Sequence, residues 1–356
     1  MFLNQIGADA RIRESIRPFE AEGMELGRVS FAAHEQYRVY LEAGEFEAVP
    51  AGRLRWDDEL PVVGDWIAAR RLDRSLVWME SVLPRRACFS RQAAGNTTAE
   101  QILAANIDLA LIVCGLDNDF NPRRLERYLV LAQESGAEAA VVLNKLDICD
   151  CYPERVAAVQ QLAPAARVFA ISALHSGIVE PLQTLVRGRT VVLLGSSGAG
   201  KSTIVNGLLQ RQSQPTAPVR ASDSRGRHTT TSRMLLPLPQ GGAIVDTPGM
   251  RELQLWATED SLEQVFQDVL KVAERCKFGN CSHLNEPDCA VREALETGSL
   301  DRLRWESYRK LQQEIRRHSR SRLEEVEEKK RWKSIQRDAE APKVQPLSGA
   351  PKGKDV

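Results

Sequence analysis

The residues Gly195 to Ser202, GSSGAGKS, fit the spacing Gly-x4-Gly-Lys-Ser, in which a backbone loop rather than a set of side chains does most of the binding. Glycines at 195 and 200 let the chain wrap, so that successive N–H groups and the N-terminus of a following helix face phosphate oxygens. Lys201 is then placed to pair with β and γ phosphates, and the Ser202 hydroxyl to ligate magnesium. Further along, DTPG runs from Asp246 to Gly249 at the end of an apolar stretch. It offers a carboxylate, Asp246, to the magnesium shell and the Gly249 N–H to the γ phosphate. NKLD, from Asn144 to Asp147, supplies the base reader. Asp147 can accept from guanine N1–H and its 2-amino group, while Asn144 and the Lys145 stem pack about the base; Leu146 lies within the same nucleotide-contacting motif. Adenine lacks those donors, and a site built to bond a missing group rejects the analogue by roughly 10⁴–10⁵. SAL, from Ser172 to Leu174, follows the next apolar run, where a backbone N–H at Ser172 or Ala173 would meet guanine O6.

Between the phosphate loop and DTPG lies SRGRHTTTSR, residues 224–233. A threonine here must reach magnesium and sense the γ phosphate; Thr230 is the first choice and Thr229 the second, with Thr231 also in range. Met250 stands where many GTP hydrolases place a water-orienting Gln. The sequence therefore predicts slow intrinsic turnover, raised by a partner or by another side chain such as His228.

A second constellation, CKFGNCSHLNEPDC, spaces Cys276, Cys281, His283 and Cys289 as a Cys3His set suited to a tetrahedral structural zinc with no open position. Cys88, Cys114, Cys149 and Cys151 read as scattered buried or incidental thiols.

The elements that must carry these loops follow from the apolar pattern. Residues 27–87 hold short alternating runs, GRVSFAA, YRVYLEAG, EFEAVPAG, VVGDWIAAR and SLVWMESVLPRR, broken by turn residues as in a small β-barrel. From Gln101, strands that are apolar throughout alternate with helical stretches, the signature of a mostly parallel sheet with helices on both faces. Beyond about Leu255 the chain reads as helices around the cysteine loop. The stretch IRRHSRSRLEEVEEKKRWKSIQR is basic with Trp332 among its lysines, as suits a nucleic-acid backbone with base stacking. The final residues are rich in Pro, Gly and Lys. Net charge is zero, with acidic residues in slight excess over residues 1–100 and basic ones over residues 301–356. No apolar run is long enough to span a membrane, and the first fifteen residues lack the apolar stretch of a signal peptide, so a cytoplasmic protein is expected.

In an ordinary GTP-binding chain the phosphate loop comes first; here the order is NKLD, SAL, GSSGAGKS, TTT, DTPG. A doubly wound sheet fixes its ligand loops in space and not in sequence, so all five can still converge. The order, together with Cys-x4-Cys-x-His-x5-Cys after it, resembles the ribosome small-subunit-dependent GTPase A (RsgA) family of circularly permuted GTPases over nearly the whole chain. The resemblance implies an OB-fold-like barrel with an N-terminal extension in residues 1–97, a permuted P-loop GTPase domain in 98–254 and a helical zinc-binding domain with a basic helix in 255–340, while the composition of residues 341–356 predicts a disordered tail. It implies GTP as substrate, Mg²⁺, and one Zn²⁺ on Cys276, Cys281, His283 and Cys289. Nucleotide contacts fall on Asn144 to Asp147 and on Gly195, Ser196, Ser197, Gly198, Ala199, Gly200, Lys201, Ser202 and Thr203. The small ribosomal subunit and its RNA are the implied partners, with a monomer expected. A P-loop ATPase or nucleotide kinase is disfavoured by NKLD with SAL, and a zinc-bearing RNA module with a decayed nucleotide site by the intact Lys201–Ser202 pair.

Overall fold

The structure is a computed structural model and describes residues 1–33, 36–56, 59–92, 100–174, 180–210, 233–246, 256–317 and 319. The domain limits expected at 97/98, 254/255 and 340/341 lie outside the described residues. So do His228, Thr229, Thr230, Thr231, Gly249, Met250 and Trp332.

Two helices open the chain, α1 (Phe2–Gln5) and α2 (Ala10–Glu20), the second capped by the Asp9 carboxylate accepting from the Ile12 amide. Their apolar residues Leu3, Ile6, Ile12 and Ile16 pack with Leu26 and Trp66 of the barrel that follows. That barrel comprises β1 (Glu25–Ala33), β2 (Gln36–Leu41), β3 (Gly44–Pro50), α3 (Gly52–Trp56), β4 (Trp66–Arg71) and β5 (Leu76–Val82). β1 pairs with β2, β2 with β3, β3 with β5, β5 with β4, and β4 again with β1. The ring is the five-stranded closure of an OB-fold. Its inner face holds Val29, Val39, Leu41, Ile67, Val77 and Met79, the alternate residues of the runs seen in the sequence. Helix α3 interrupts a stretch with no helical period; at five residues it is too short to show one.

A hairpin of β6 (Cys88–Gln92) and β7 (Glu100–Ala105) leads to the central sheet. There follow β8 (Leu109–Gly115), α4 (Pro122–Ser135), β9 (Glu138–Asn144), α5 (Tyr152–Leu162), β10 (Arg167–Ala170), α6 (Glu180–Val186), β11 (Thr190–Leu194), α7 (Lys201–Leu209), β12 (Arg233–Pro237) and β13 (Ala243–Asp246). Strands β10, β9, β8, β11 and β13 lie side by side, all parallel. Alternate residues of these strands feed two cores. Leu109, Leu111, Val113, Val191 and Leu193 face α6 and α7, whereas Ala110, Ile112, Val192 and Leu194 face α4 and α5. Burial on both faces is why these strands are apolar throughout.

Strand β12 runs antiparallel to β13 and, on its other side, antiparallel to β1, with Phe31 opposite Met234 and Ala32 opposite Arg233. Barrel and central sheet are thus one eleven-stranded sheet. Arg28 of β1 adds a buried tie. Its Nη2 donates to Thr190 Oγ1 at 2.8 Å, at the first residue of β11, its Nη1 donates to the Ile6 carbonyl, and its guanidinium lies over the Trp66 ring. Burial pushes this guanidinium down to about 10.

The C-terminal described region contains α8 (Glu259–Val265), α9 (Gln267–Ala273), α10 (Ala290–Glu296) and α11 (302–317). The sequence reads 261–276 as one helix; the backbone turns at Phe266 (φ −111°, ψ 33°), dividing it into α8 and α9. Phe266, Trp305, Tyr308, Leu311 and Ile315 join the same core as α4. Arg304 locks this junction. It donates to Glu126 of α4 at 2.9 Å, to both oxygens of Asp268, and to the Val265 carbonyl at 2.8 Å, while stacking 4.0 Å over Phe266. Burial alone pulls the Arg304 guanidinium down, but its bonds to Asp268 and Glu126 outweigh that and the net shift is upward. The Glu126 side chain is 0% exposed and that of Arg304 8%, so removing one partner strands the other. Arg304→Ala is expected to destabilise the chain by about 3–5 kcal/mol. The check is the urea midpoint against wild type; a change within error would mean that Arg123, which also pairs with Glu126, suffices.

Candidate functional site

Because β8, β9, β10, β11 and β13 are parallel, their C-terminal ends share one edge of the sheet, where open α/β sheets bind ligands. NKLD follows β9, SAL follows β10, GSSGAGKS follows β11, and Asp246 ends β13. Val192 of β11 sits beside Val245 of β13, so Asp246 and the start of α7, with Ser202 in its first turn, emerge from adjacent strands. The segment that contains the threonines returns to the sheet at Arg233, and Met234 pairs with Asp246, which brings the end of that segment to the same edge.

The phosphate loop depends on its glycines. Gly195 (φ +142°) and Gly200 (φ +98°) adopt backbone that L side chains rarely take, and an added Cβ would strike the Val113 carbonyl in the first case and the Asn144 amide in the second. Ser196, Ser197, Gly198 and Ala199 form the turn between them, and Lys201, Ser202 and Thr203 lie in the first turn of α7. Lys201 Nζ donates to the Gly195 carbonyl at 2.7 Å and to that of Ser196, so its ammonium lies across the loop it would serve.

Asn144 joins the base loops to this one. Its Nδ2 donates to the Ala199 carbonyl at 2.9 Å, and its Oδ1 accepts from the Ala173 amide at 2.9 Å. One buried side chain, 3% exposed, therefore touches both the loop expected to hold phosphate and the loop expected to meet guanine O6. Lys145 takes a left-handed conformation (φ +68°), which turns the chain into the short 3-10 segment Leu146–Ile148 bearing Asp147. The Ser172 hydroxyl donates to Asp147. These contacts link the loop that bears Lys201 to the loops that bear Asp147 and Ala173.

The loop after β8, LDNDFN, escaped the sequence reading. Asp117 pairs with Lys145 at 2.5 Å, and Asp119 accepts from Ser196 Oγ at 2.5 Å and from Arg124 of α4. Burial pushes Asp117 up, but the bonds from Lys145 and the Asp119 amide outweigh it and hold the carboxyl below its ordinary value. The signal that could have found this loop is topological: β8 lies beside β11, so whatever follows it lies beside the phosphate loop.

At the other end, Cys276, Cys281, His283 and Cys289 place their ligand atoms within 4.8 Å of one another. Cys276 Sγ and Cys289 Sγ each lie 3.5 Å from His283 Nδ1 and 4.0 Å from each other. A zinc with ordinary bond lengths sets tetrahedral edges of about 3.8 Å between sulfurs and about 3.6 Å between sulfur and nitrogen. The donor set fits that ion. The His283 ring meets Trp305 of α11 edge-on at 5.3 Å. Glu286 builds the turn between the ligands: the Ser282 hydroxyl and amide and the Leu284 amide bond to it and hold its carboxyl down at about 2.

No helix among the described residues is long and apolar enough to cross a membrane. The RsgA GTPase family model matches residues 82–256. A protein of Opitutus terrae named small ribosomal subunit biogenesis GTPase RsgA is 44% identical over 354 residues, 94% of this chain and 96% of that one. Among solved structures, YjeQ from Thermotoga maritima superposes with a TM-score of 0.61 at 24% identity, covering 82% of this chain and 98% of its own. YloQ, described as a circularly permuted GTPase, gives 0.60 at 22% identity, covering 82% and 95%. With the NKLD, SAL and GSSGAGKS loops sharing one sheet edge in permuted order, and a relative 44% identical over nearly its full length, the chain belongs to the RsgA GTPase family.

Proposed function

We propose that this chain hydrolyses GTP as a checkpoint in late maturation of the small ribosomal subunit, binding the subunit in its GTP state and leaving after subunit-stimulated hydrolysis. The observation that supports the reading is Asn144, which bonds to both the loop before α7 and the SAL loop and so brings together elements that are scattered in sequence. In this reading Asp147 reads guanine, with Asn144, Lys145, Leu146, Ser172 and Ala173 around the base. The amides of Gly195 to Gly200 and the Lys201 ammonium neutralise charge that builds on the phosphate oxygens as the γ bond to the leaving group lengthens. Ser202, Asp246 and, as the switch ligand, Thr230 would hold magnesium, which would supply Lewis-acid stabilisation of the same charge. Gly249 contacts the γ phosphate. Met250 leaves the attacking water without a side chain to orient it, which is the reason to expect dependence on a partner.

The barrel (1–97) and the zinc-bearing helices (255–340) flank the nucleotide domain (98–254) and dock on ribosomal RNA, ahead of a tail at 341–356. The protein works in the cytoplasm as a monomer. GTP turnover measured with and without purified small subunits tests the reading. A rise on the order of 10² or more is expected, since a positioned group supplied in trans contributes at least that much. Equal rates would remove the ribosomal partner and leave the nucleotide assignment standing.

A further inference from the structure

The guanine-reading turn runs directly into two cysteines that the nucleotide and zinc chemistry leave unused. Cys149 closes the 3-10 segment carrying Asp147, and Cys151 is the residue from which α5 starts. Their sulfurs lie 3.7 Å apart. One is buried in the core under the sheet, at 7% exposure, and the other is exposed. The sequence reads both as incidental; the fold brings them to within one short movement of each other.

We propose that Cys149 and Cys151 are a redox-modified dithiol that exchanges with low-molecular-weight disulfides, and that the bond formed between them weakens guanine-nucleotide binding. The proposal rests on the assignment of Asp147 to guanine. Cys151, reachable from solvent, attacks one sulfur of a dissolved disulfide as its thiolate and displaces the first small thiol. Cys149 then attacks the Cys151 sulfur of the mixed disulfide and displaces the second. The pair loses two electrons and two protons, and the small disulfide is reduced to two thiols. Burial, with the Cys151 sulfur beside it, pushes the Cys149 thiol up, which leaves the first attack to the exposed Cys151; the second is favoured by the proximity of the two sulfurs.

A disulfide needs its sulfurs about 2.05 Å apart, so the pair must close by roughly 1.7 Å. Cys149 is fixed in the core, so the movement falls on Cys151 and the first turn of α5. That turn holds Arg155, whose Nη1 donates to the Leu116 carbonyl at 2.9 Å and the Asp117 carbonyl at 3.5 Å. Asp117 in turn holds Lys145. Closing the bond therefore pulls on the base site from two directions, through Asp147 two residues before Cys149 and through Arg155, Asp117 and Lys145.

The test uses the full-length, zinc-loaded chain exposed to glutathione disulfide. Peptide mass spectrometry locates any bond, binding of a fluorescent GTP analogue reports the site, and released zinc is measured in parallel. The expected result is a peptide bearing both cysteines and lighter by two hydrogens, with GTP affinity lowered about tenfold and restored by a dithiol reductant. Cys151→Ser removes no capping bond, since the Cys151 side chain makes none, and places a residue favoured at helix starts there, so it is expected to bind GTP as the reduced wild type does and to ignore the oxidant. The proposal is overturned if both thiols stay alkylatable, if oxidation stops at a mixed disulfide on Cys151, or if the bond forms without changing affinity. An equal loss of affinity in Cys151→Ser would trace the effect to the zinc cysteines and also overturn it. Preference of the reduced chain for GTP over ATP, measured first, tests the guanine assignment separately: its absence defeats that assignment while the mass still decides the thiol chemistry.

Discussion

Asp147→Asn is expected to exchange the base preference of the site, shifting the ratio of GTP to xanthosine triphosphate affinity on the order of 10⁴ in favour of xanthine. A carboxylate accepts from two guanine donors, N1–H and the 2-amino group. An amide in the same place offers one acceptor and one donor, which leaves the guanine amino group facing a donor and suits the xanthine carbonyl at that position. The surrounding turn should survive, because the left-handed Lys145 and the Asn144 bonds to Ala199 and Ala173 do not involve the Asp147 side chain. Paired titrations with the two nucleotides decide it. Retained GTP selectivity would move base reading to another residue.

Removing the metal is expected to have the second large effect, and a local one. Structural zinc sites of this kind contribute on the order of 10 kcal/mol of folding free energy, comparable with the whole stability of a domain. Between Cys276 and Cys289 the described residues contain no helix or strand, and the loop carries left-handed backbone at His283 and Asp288. The ligands, the Glu286 turn, the exposed Lys277–Asp288 pair and the edge contact of His283 with Trp305 hold it. Chelation, or Cys276→Ser, should therefore release one zinc per chain and open residues 276–289 and α10 to hydrogen exchange, while α11 stays docked through Arg304. Unchanged protection across 276–296 after the zinc is gone would show that packing of Val291 and Ala294 suffices. Glu286 adds a pH signature. Its carboxyl lies near 2 in the folded chain, below its ordinary 4.5, so its contribution is complete above about pH 4.5 and is lost as pH falls toward 2.

The site was legible where residue type and spacing alone define the chemistry. Gly195, Gly200, Lys201, Asn144 and the four zinc ligands each announce a backbone or donor requirement that few other residues meet. Asp117 and Asp119 carry no such mark; their place beside Lys145 and Ser196 follows from the adjacency of β8 to β11, a long-range pairing. The strands were legible in the same uneven way. Apolar runs located β8, β9, β10, β11 and β13, but ILAANIDLALIVCGL conceals two strands, β7 and β8, divided at Asn106, whose φ of +56° ends the first. RMLLP passed unmarked as β12 because five residues flanked by polar sequence show no period. Helices α1 and α2 were missed because they are short and their apolar stripe makes sense only against the barrel.

The missed strand has a practical consequence for anyone dissecting the chain. β12 has a neighbour on each side only because β1 of the barrel covers it. A fragment cut after the barrel to isolate the nucleotide domain would uncover the backbone of β12 at Arg233 and Met234, where β1 now pairs with it, and so leave β12 as an open border of the kind on which chains aggregate. The barrel thus serves as a lid on the sheet's raw margin, and soluble fragments should be sought with it attached.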